Sequence, residues 1–65
     1  MHREELSGKW TQLKGDVQRQ WGKLTNDDLD VIRGDAKKLA GKIQERYGKA
    51  FDDAEREVNL WIEQR

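Results

Sequence analysis

The sequence predicts an all-α protein in which four helices form two αα-hairpins. Three observations predict it. The apolar residues recur at helical steps, the alternation of a strand is nowhere sustained, and six glycines fall into two matching trios. Leu6, Trp10, Leu13, Val17, Trp21 and Leu24 follow one another three or four residues apart. So do Ala36, Leu39, Ile43, Tyr47, Ala50, Ala54, Val58 and Trp61. At about 100° per residue, the residues from Leu6 to Trp21 share an arc of roughly 80°, the width of one buried helix face.

The glycines stand at 8, 15 and 22, then at 34, 41 and 48, so each trio has a spacing of seven and the trios are offset by 26. Laying 8–24 over 34–50 gives six identities in 17 positions, at Gly8/Gly34, Leu13/Leu39, Gly15/Gly41, Gln18/Gln44, Gly22/Gly48 and Lys23/Lys49. Val17/Ile43 and Trp21/Tyr47 are conservative partners. The pattern reads as an internal duplication, with units at 8–33 and 34–62, each a longer helix, a glycine stop and a shorter helix.

The first helix is expected over 3–21, with Glu4 and Glu5 near its positive N-terminal dipole and Gly22 as a left-handed stop after Trp21. The second spans 26–33. The Thr25 hydroxyl caps it ahead of Asn26, Asp27 and Asp28, and Gly34 ends it. The third runs over 35–47 and stops at Gly48. The fourth runs over 52–64, with Asp52 as its cap and Glu55 three residues on. Short links between these helices make two hairpins. The first and third segments are net basic and the second and fourth net acidic, which favours their docking on one another.

Composition sets the outer bounds. Sixty-five residues allow one domain, 1–65, with a thin core. Charged residues make up 40% of the chain and mean hydropathy is −1.16, values that raise disorder as a competitor. A net charge of zero, five aromatics and the ordered apolar stripes argue for a folded chain instead. Thirteen basic residues balance thirteen acidic ones, so no global field steers the chain to nucleic acid or an anionic membrane. No cysteine is present, which removes disulfides, thiolate nucleophiles and sulfur metal sites and suits a reducing compartment. The longest apolar run is Leu60-Trp61-Ile62, too short for a membrane span or a signal-peptide core, and Met1-His2 lacks the glycine needed for myristoylation.

The repeated blocks carry a resemblance. Gly8-Lys9-Trp10-Thr11-Gln12-Leu13-Lys14-Gly15, followed by Gln20-Trp21-Gly22-Lys23-Leu24-Thr25, resembles the CsbD-like family of small bacterial proteins. So does Leu39-Ala40-Gly41-Lys42-Ile43-Gln44-Glu45-Arg46-Tyr47-Gly48, with Ala54-Glu55-Arg56-Glu57-Val58 behind it. The similarity covers nearly the whole chain. It implies a compact domain of two αα-hairpins packed crosswise, a cytoplasmic location and an association with general stress responses. It carries no catalytic or ligand-binding residue to this chain. Ala50-Phe51 departs from the family pattern, in which a serine cap and a lysine are frequent there, and Asp52 is expected to take over the capping.

Catalytic and metal-binding chemistry finds little material. His2 is the one histidine and stands at the terminus. Asn26, Asp28 and Asp30 have the alternate spacing of a calcium loop. However, Val31 stands where that loop needs glycine, and its twelfth position falls on Lys37. Asp52-Asp53 reads as a pair of dipole partners rather than a general acid/base pair. Glycines seven residues apart cannot form one phosphate cradle, and the closely spaced loop glycines of helix-hairpin-helix DNA binders are missing. Neither cofactor nor metal is expected.

Lys38, Lys42, Arg46 and Lys49 form a stripe on one side of the third helix. The favoured reading is a solvated shoulder whose stems cover Leu39 and Ile43. Gln12, Asp16, Gln20 and Lys23 occupy the matching positions of the first repeat, so the stripe is not duplicated. A nucleic-acid contact through Lys38, Lys42 and Arg46 is the alternative, and a protein partner stays open beside it. Trp10, Trp21 and Tyr47 lie in the stripes and are assigned to the core. Leu60, Trp61 and Ile62 cannot all point inward, and Leu60 is the one expected outside. Gln18 and Gln44 are expected to hydrogen-bond at the hairpin junctions.

Gly15 and Gly41 fall inside helices, where glycine costs roughly 1 kcal/mol against alanine. Both lie on the face away from the apolar stripe, where the favoured reading is a close backbone crossing at one or both, and the alternative a tolerated cost or a bend in the helix. The whole reading is a small soluble non-enzymatic protein, a structural or interaction module.

Overall fold

The computed structural model describes residues 3–65 and is all-helical over them, with no strand. Five helices appear where four were expected: α1 Arg3–Gly8, α2 Trp10–Gln20, α3 Asn26–Ile32, α4 Ala36–Tyr47 and α5 Phe51–Glu63. The expected first helix is interrupted at Lys9, whose backbone turns to φ −113° and ψ 19°. Its carbonyl there accepts from both Gln12 N–H and Leu13 N–H, at 3.0 and 2.9 Å. Ser7-Gly8 is the kind of pair at which helices kink, because glycine gives the backbone no rotameric restraint. The bend lets α1 pack against α5 as well as α2, with Leu6 fully buried between them.

The helix ends divide into predicted and corrected ones. Thr25 caps α3 reciprocally: its Oγ1 accepts from Asp28 N–H at 3.1 Å, and Asp28 Oδ2 accepts from Thr25 N–H at 3.0 Å. Asp35 caps α4 through Lys37 and Lys38 N–H. Gly48 closes α4 in the left-handed region, φ 66°, donating to Gln44 O at 3.0 Å. At α3 the left-handed turn begins one residue early, on Arg33 (φ 46°), and continues through Gly34 (φ 84°). Gly22 is not left-handed, contrary to expectation. Trp21 itself leaves the helix at φ −122°, and Leu24 N–H folds back onto Trp21 O. Asp52 does not cap α5 either. That helix opens two residues earlier, with Ala50 at its cap position contributing no side-chain bond, so Asp52 and Asp53 lie inside its first turn.

Leu6, Leu13, Val17, Trp21, Leu24, Leu39, Ile43, Ala54 and Val58 reach the core as their spacing required. Leu29 and Ile32 of the short α3, Ala40 and Ile62 join them. Trp10, Tyr47, Phe51 and Trp61 pack half-buried at its rim, and Ala50, counted in the second stripe, is exposed. Leu60 is outside, 50% exposed, as expected. The helix pairs that approach most closely are α4 with α5 and α3 with α4, with α1 touching α2 and α5.

The expected close crossing at Gly15 or Gly41 is not there. A Cβ on Gly15 would reach only the tip of Arg19, at 4.0 Å, and one on Gly41 would meet nothing within 4 Å. The close approach lies at Gly34 instead, where a Cβ would stand 2.6 Å from Ser7 Cα. Among the described residues no helix is long and apolar enough to cross a membrane.

Candidate functional site

Asp28 is the one buried charged residue among those described, 2% exposed, and it gathers Thr25, Lys42 and Arg46 about it. Its place on the first turn of α3 follows from the Thr25 cap, and its neighbours Leu29 and Ile32 anchor that turn in the core. From α4, Arg46 reaches across in a fork, Nε to Oδ2 at 2.8 Å and Nη2 to Oδ1 at 2.9 Å. Lys42 Nζ stands 3.6 Å from Oδ1, and 3.2 Å from Glu45. A planar guanidinium matches a carboxylate bidentately, which makes this the strong kind of charged hydrogen bond.

The Arg46 hydrogen bonds hold the Asp28 carboxyl well below the usual carboxylate range, against burial, which pushes it up, and the Thr25 N–H lowers it further. The same hydrogen bond raises the Arg46 guanidinium above its ordinary value. Asp28 is therefore an anion with its acceptor sites engaged, suited to tying α3 to α4 and unsuited to proton transfer at neutral pH.

The three cations singled out in the sequence part company here. Lys42 and Arg46 converge on Asp28, whereas Lys38 holds no ion pair among the described residues. Lys38 and Lys42 border a shallow groove of about 300 Å³ between α3 and α4, with the half-exposed Val31 and Gly41 in it. Lys49, the last of the stripe, pairs with Glu57 of α5.

A second cluster links the ends of α2 and α4 to α5. Trp21 Nε1–H donates to Glu57 Oε1 at 3.3 Å, and Lys49 engages Glu57 Oε2. The Lys49 bond lowers the Glu57 carboxyl, with burial opposing. The Tyr47 hydroxyl accepts from Lys23 N–H at 3.1 Å, and the Lys23 and Lys49 ammonium groups lie 5.0 and 5.6 Å from the centre of its ring. Trp21 and Trp61 meet edge to face at 5.4 Å. Arg65 covers Trp61 and pairs with Asp16 at 2.6 Å. Gln18 Nε2 donates to Leu24 O at 3.4 Å, the junction bond expected of it, while Gln44 is exposed and has no such bond.

His2 lies outside the described residues. Among those described, no three histidine, aspartate or glutamate side chains converge so as to hold a metal ion. The pairing of Asp28 with Arg46, and of Glu57 with Trp21, was not read from the sequence. Thr25 and Asp28, three apart, carried the capping half of the signal. The partners on α4 and α5 lie 18 and 36 residues away, where no local spacing points to them.

A family model described as CsbD-like matches residues 4–56. The UPF0337 protein YjbJ of Escherichia coli is 54% identical over 61 residues, which cover 94% of this chain and 88% of that protein. The Salmonella typhimurium protein of the same name is also 54% identical over 61 residues, covering 94% and 87%. A UPF0337 protein of Xanthomonas axonopodis pv. citri is 55% identical over the same length, covering 94% and 88%. No solved structure matches the chain.

Proposed function

The chain belongs to the CsbD-like family, and from that membership we propose a non-enzymatic structural or interaction module serving the general stress response of a bacterial cytoplasm. The observation that carries the reading is the use made of the charged groups. Asp28, Arg46 and Lys42 tie α3 to α4, and Glu57 and Lys49 tie the end of α4 to α5. These five charged side chains hold helices together. The grooves beside Leu60 and Val31 are shallow and open, unlike the enclosed pockets that bind small molecules.

The duplication supports a single domain over 1–65, with units 8–33 and 34–62 that share their glycine positions and the Trp21/Tyr47 pair. Each of these two aromatics hydrogen-bonds to a distant part of the chain: Trp21 donates to Glu57, and Tyr47 accepts from the Lys23 backbone N–H.

Affinity capture from stressed bacterial cells, with a thermal-shift screen against metabolites and nucleotides, tests the function. A specific protein partner is the expected outcome. A metabolite bound at micromolar strength and turned over would sink the reading. The alternative, nucleic-acid contact through Lys38, Lys42 and Arg46, is weakened because two of these three cations already serve Asp28. Titration into DNA and RNA at two salt concentrations separates it, since phosphate binding must fall steeply with salt.

A further inference from the structure

Two large apolar residues are 50% exposed among those described, Val31 and Leu60; the Val31 groove carries Lys38, Lys42 and Glu45, and the Leu60 groove Asp52, Glu55, Glu63 and Arg56. Beside Val31, Gly41 leaves the outer face of α4 without a side chain, and nothing lies within 4 Å of where its Cβ would be. That gap costs helix stability and nothing inside the chain fills it. Lys38, on the rim, has no ion-pair partner among the described residues. Leu60 stands in a groove of about 440 Å³ along α5, flanked by Asp52 and Glu63, which are also unpaired. Arg56, the cation of that groove, is turned to Asp53 at 3.5 Å. Asn59, next to Leu60, keeps a buried Oδ1 that receives no hydrogen bond.

From this complementarity we infer that a second copy of the chain is the occupant: Leu60 of one molecule seats in the Val31–Gly41 groove of the next, with Lys38 facing Glu63, one turn from Leu60 on α5. The proposal rests on the interaction-module reading and names one partner for it. A branched side chain fits a gap left by a missing Cβ, and the unpaired charges on the two rims are of opposite sign. Each copy carries both surfaces, so a single contact leaves one knob and one groove free to take further copies. With a small patch the association is weak and shows only at high protein concentration or low salt.

Sedimentation velocity of the full chain over rising concentration tests this. The expected result is a weight-average mass that climbs above 7.7 kDa and falls back when salt is added. Leu60→Glu removes the knob and Gly41→Glu blocks the groove with a repelling charge. Each should weaken association by at least about tenfold, the factor for 1.4 kcal/mol. Mixed in equal amounts, these two variants still hold one intact knob and one intact groove, so they should form pairs and nothing larger. Circular dichroism melts establish that both variants fold.

A wild-type mass that stays at 7.7 kDa overturns the proposal, as does association that either variant leaves unchanged. A different protein captured from cells, lost with Gly41→Glu while the chain alone stays monomeric, overturns self-docking and leaves the interaction-module reading intact. Capture of no protein together with a turned-over metabolite would instead sink that reading.

Discussion

Gly34 and Ser7 touch backbone to backbone: a Cβ on Gly34 would stand 2.6 Å from Ser7 Cα and 3.0 Å from Leu6 O. The α3–α4 turn thus lies directly on the end of α1, at the kink that separates α1 from α2. Gly34 also has a φ of 84°, where an L side chain is strained before any neighbour is considered. Both constraints act on one residue, so Gly34→Ala is expected to destabilise by about 2–4 kcal/mol. For a chain of this size that is a fall of at least about 10 °C in Tm. A Tm within a few degrees of the wild type would show that the turn can lift off α1.

Gly48→Ala separates the two effects. Its φ is 66° but the space around it is open, so only backbone strain opposes the substitution. The expected loss is about 1 kcal/mol, smaller than at Gly34, measured by the same thermal melt. Equal losses at the two glycines would mean that the Ser7 contact contributes little.

Gly15→Ala and Gly41→Ala should both stabilise. Neither position has a positive φ or a backbone neighbour in the way, and each lies inside a helix where alanine gains about 0.5–1 kcal/mol. Urea denaturation should move to a higher midpoint in each variant with an unchanged slope. A lower midpoint for either would restore the close crossing that its sequence position suggested.

Asp28 couples the fold to acid. Its carboxyl is held below the usual range by Arg46, so its folded pKa lies beneath its unfolded one. The stabilisation is therefore complete above the unfolded value of roughly 4 and is lost as pH falls through the depressed folded value. Tm should decline steadily as pH is lowered from about 4. Asp28→Asn should be less stable at pH 7 by about 2 kcal/mol and should lack that part of the decline. A variant with the wild-type acid profile would assign the decline to other carboxylates.

The legible part of this molecule was whatever depends on near neighbours in the chain. The 3–4 spacing placed Leu13, Val17, Leu39, Ile43 and Val58 in the core because helix geometry alone brings such residues onto one face. Thr25 ahead of Asp28 and Gly48 after Tyr47 announced their caps for the same reason, since a cap closes within one turn, whereas Asp35, expected as the first residue of its helix, caps it instead. The family resemblance also lay in such local blocks, and the 4–56 match agrees with it.

What the tertiary structure decided is which of several locally acceptable choices survives packing. Gly22 and Gly48 each follow an aromatic at a helix end, yet only Gly48 is left-handed; Trp21 leaves its helix and meets Trp61 and Glu57. Gly15, Gly34 and Gly41 are the same residue, yet only Gly34 has another backbone against it, because α1 folds over the α3–α4 turn and leaves the outer faces of α2 and α4 open. Lys38, Lys42 and Arg46 form one stripe on paper, and Asp28 takes two of them because the short α3 docks beside that part of α4. The sequence by itself determined the helices and the residues available to pack. The partners across helices came only from the fold, because the distance between residues far apart in the chain is set by how the helices dock and not by their spacing in it.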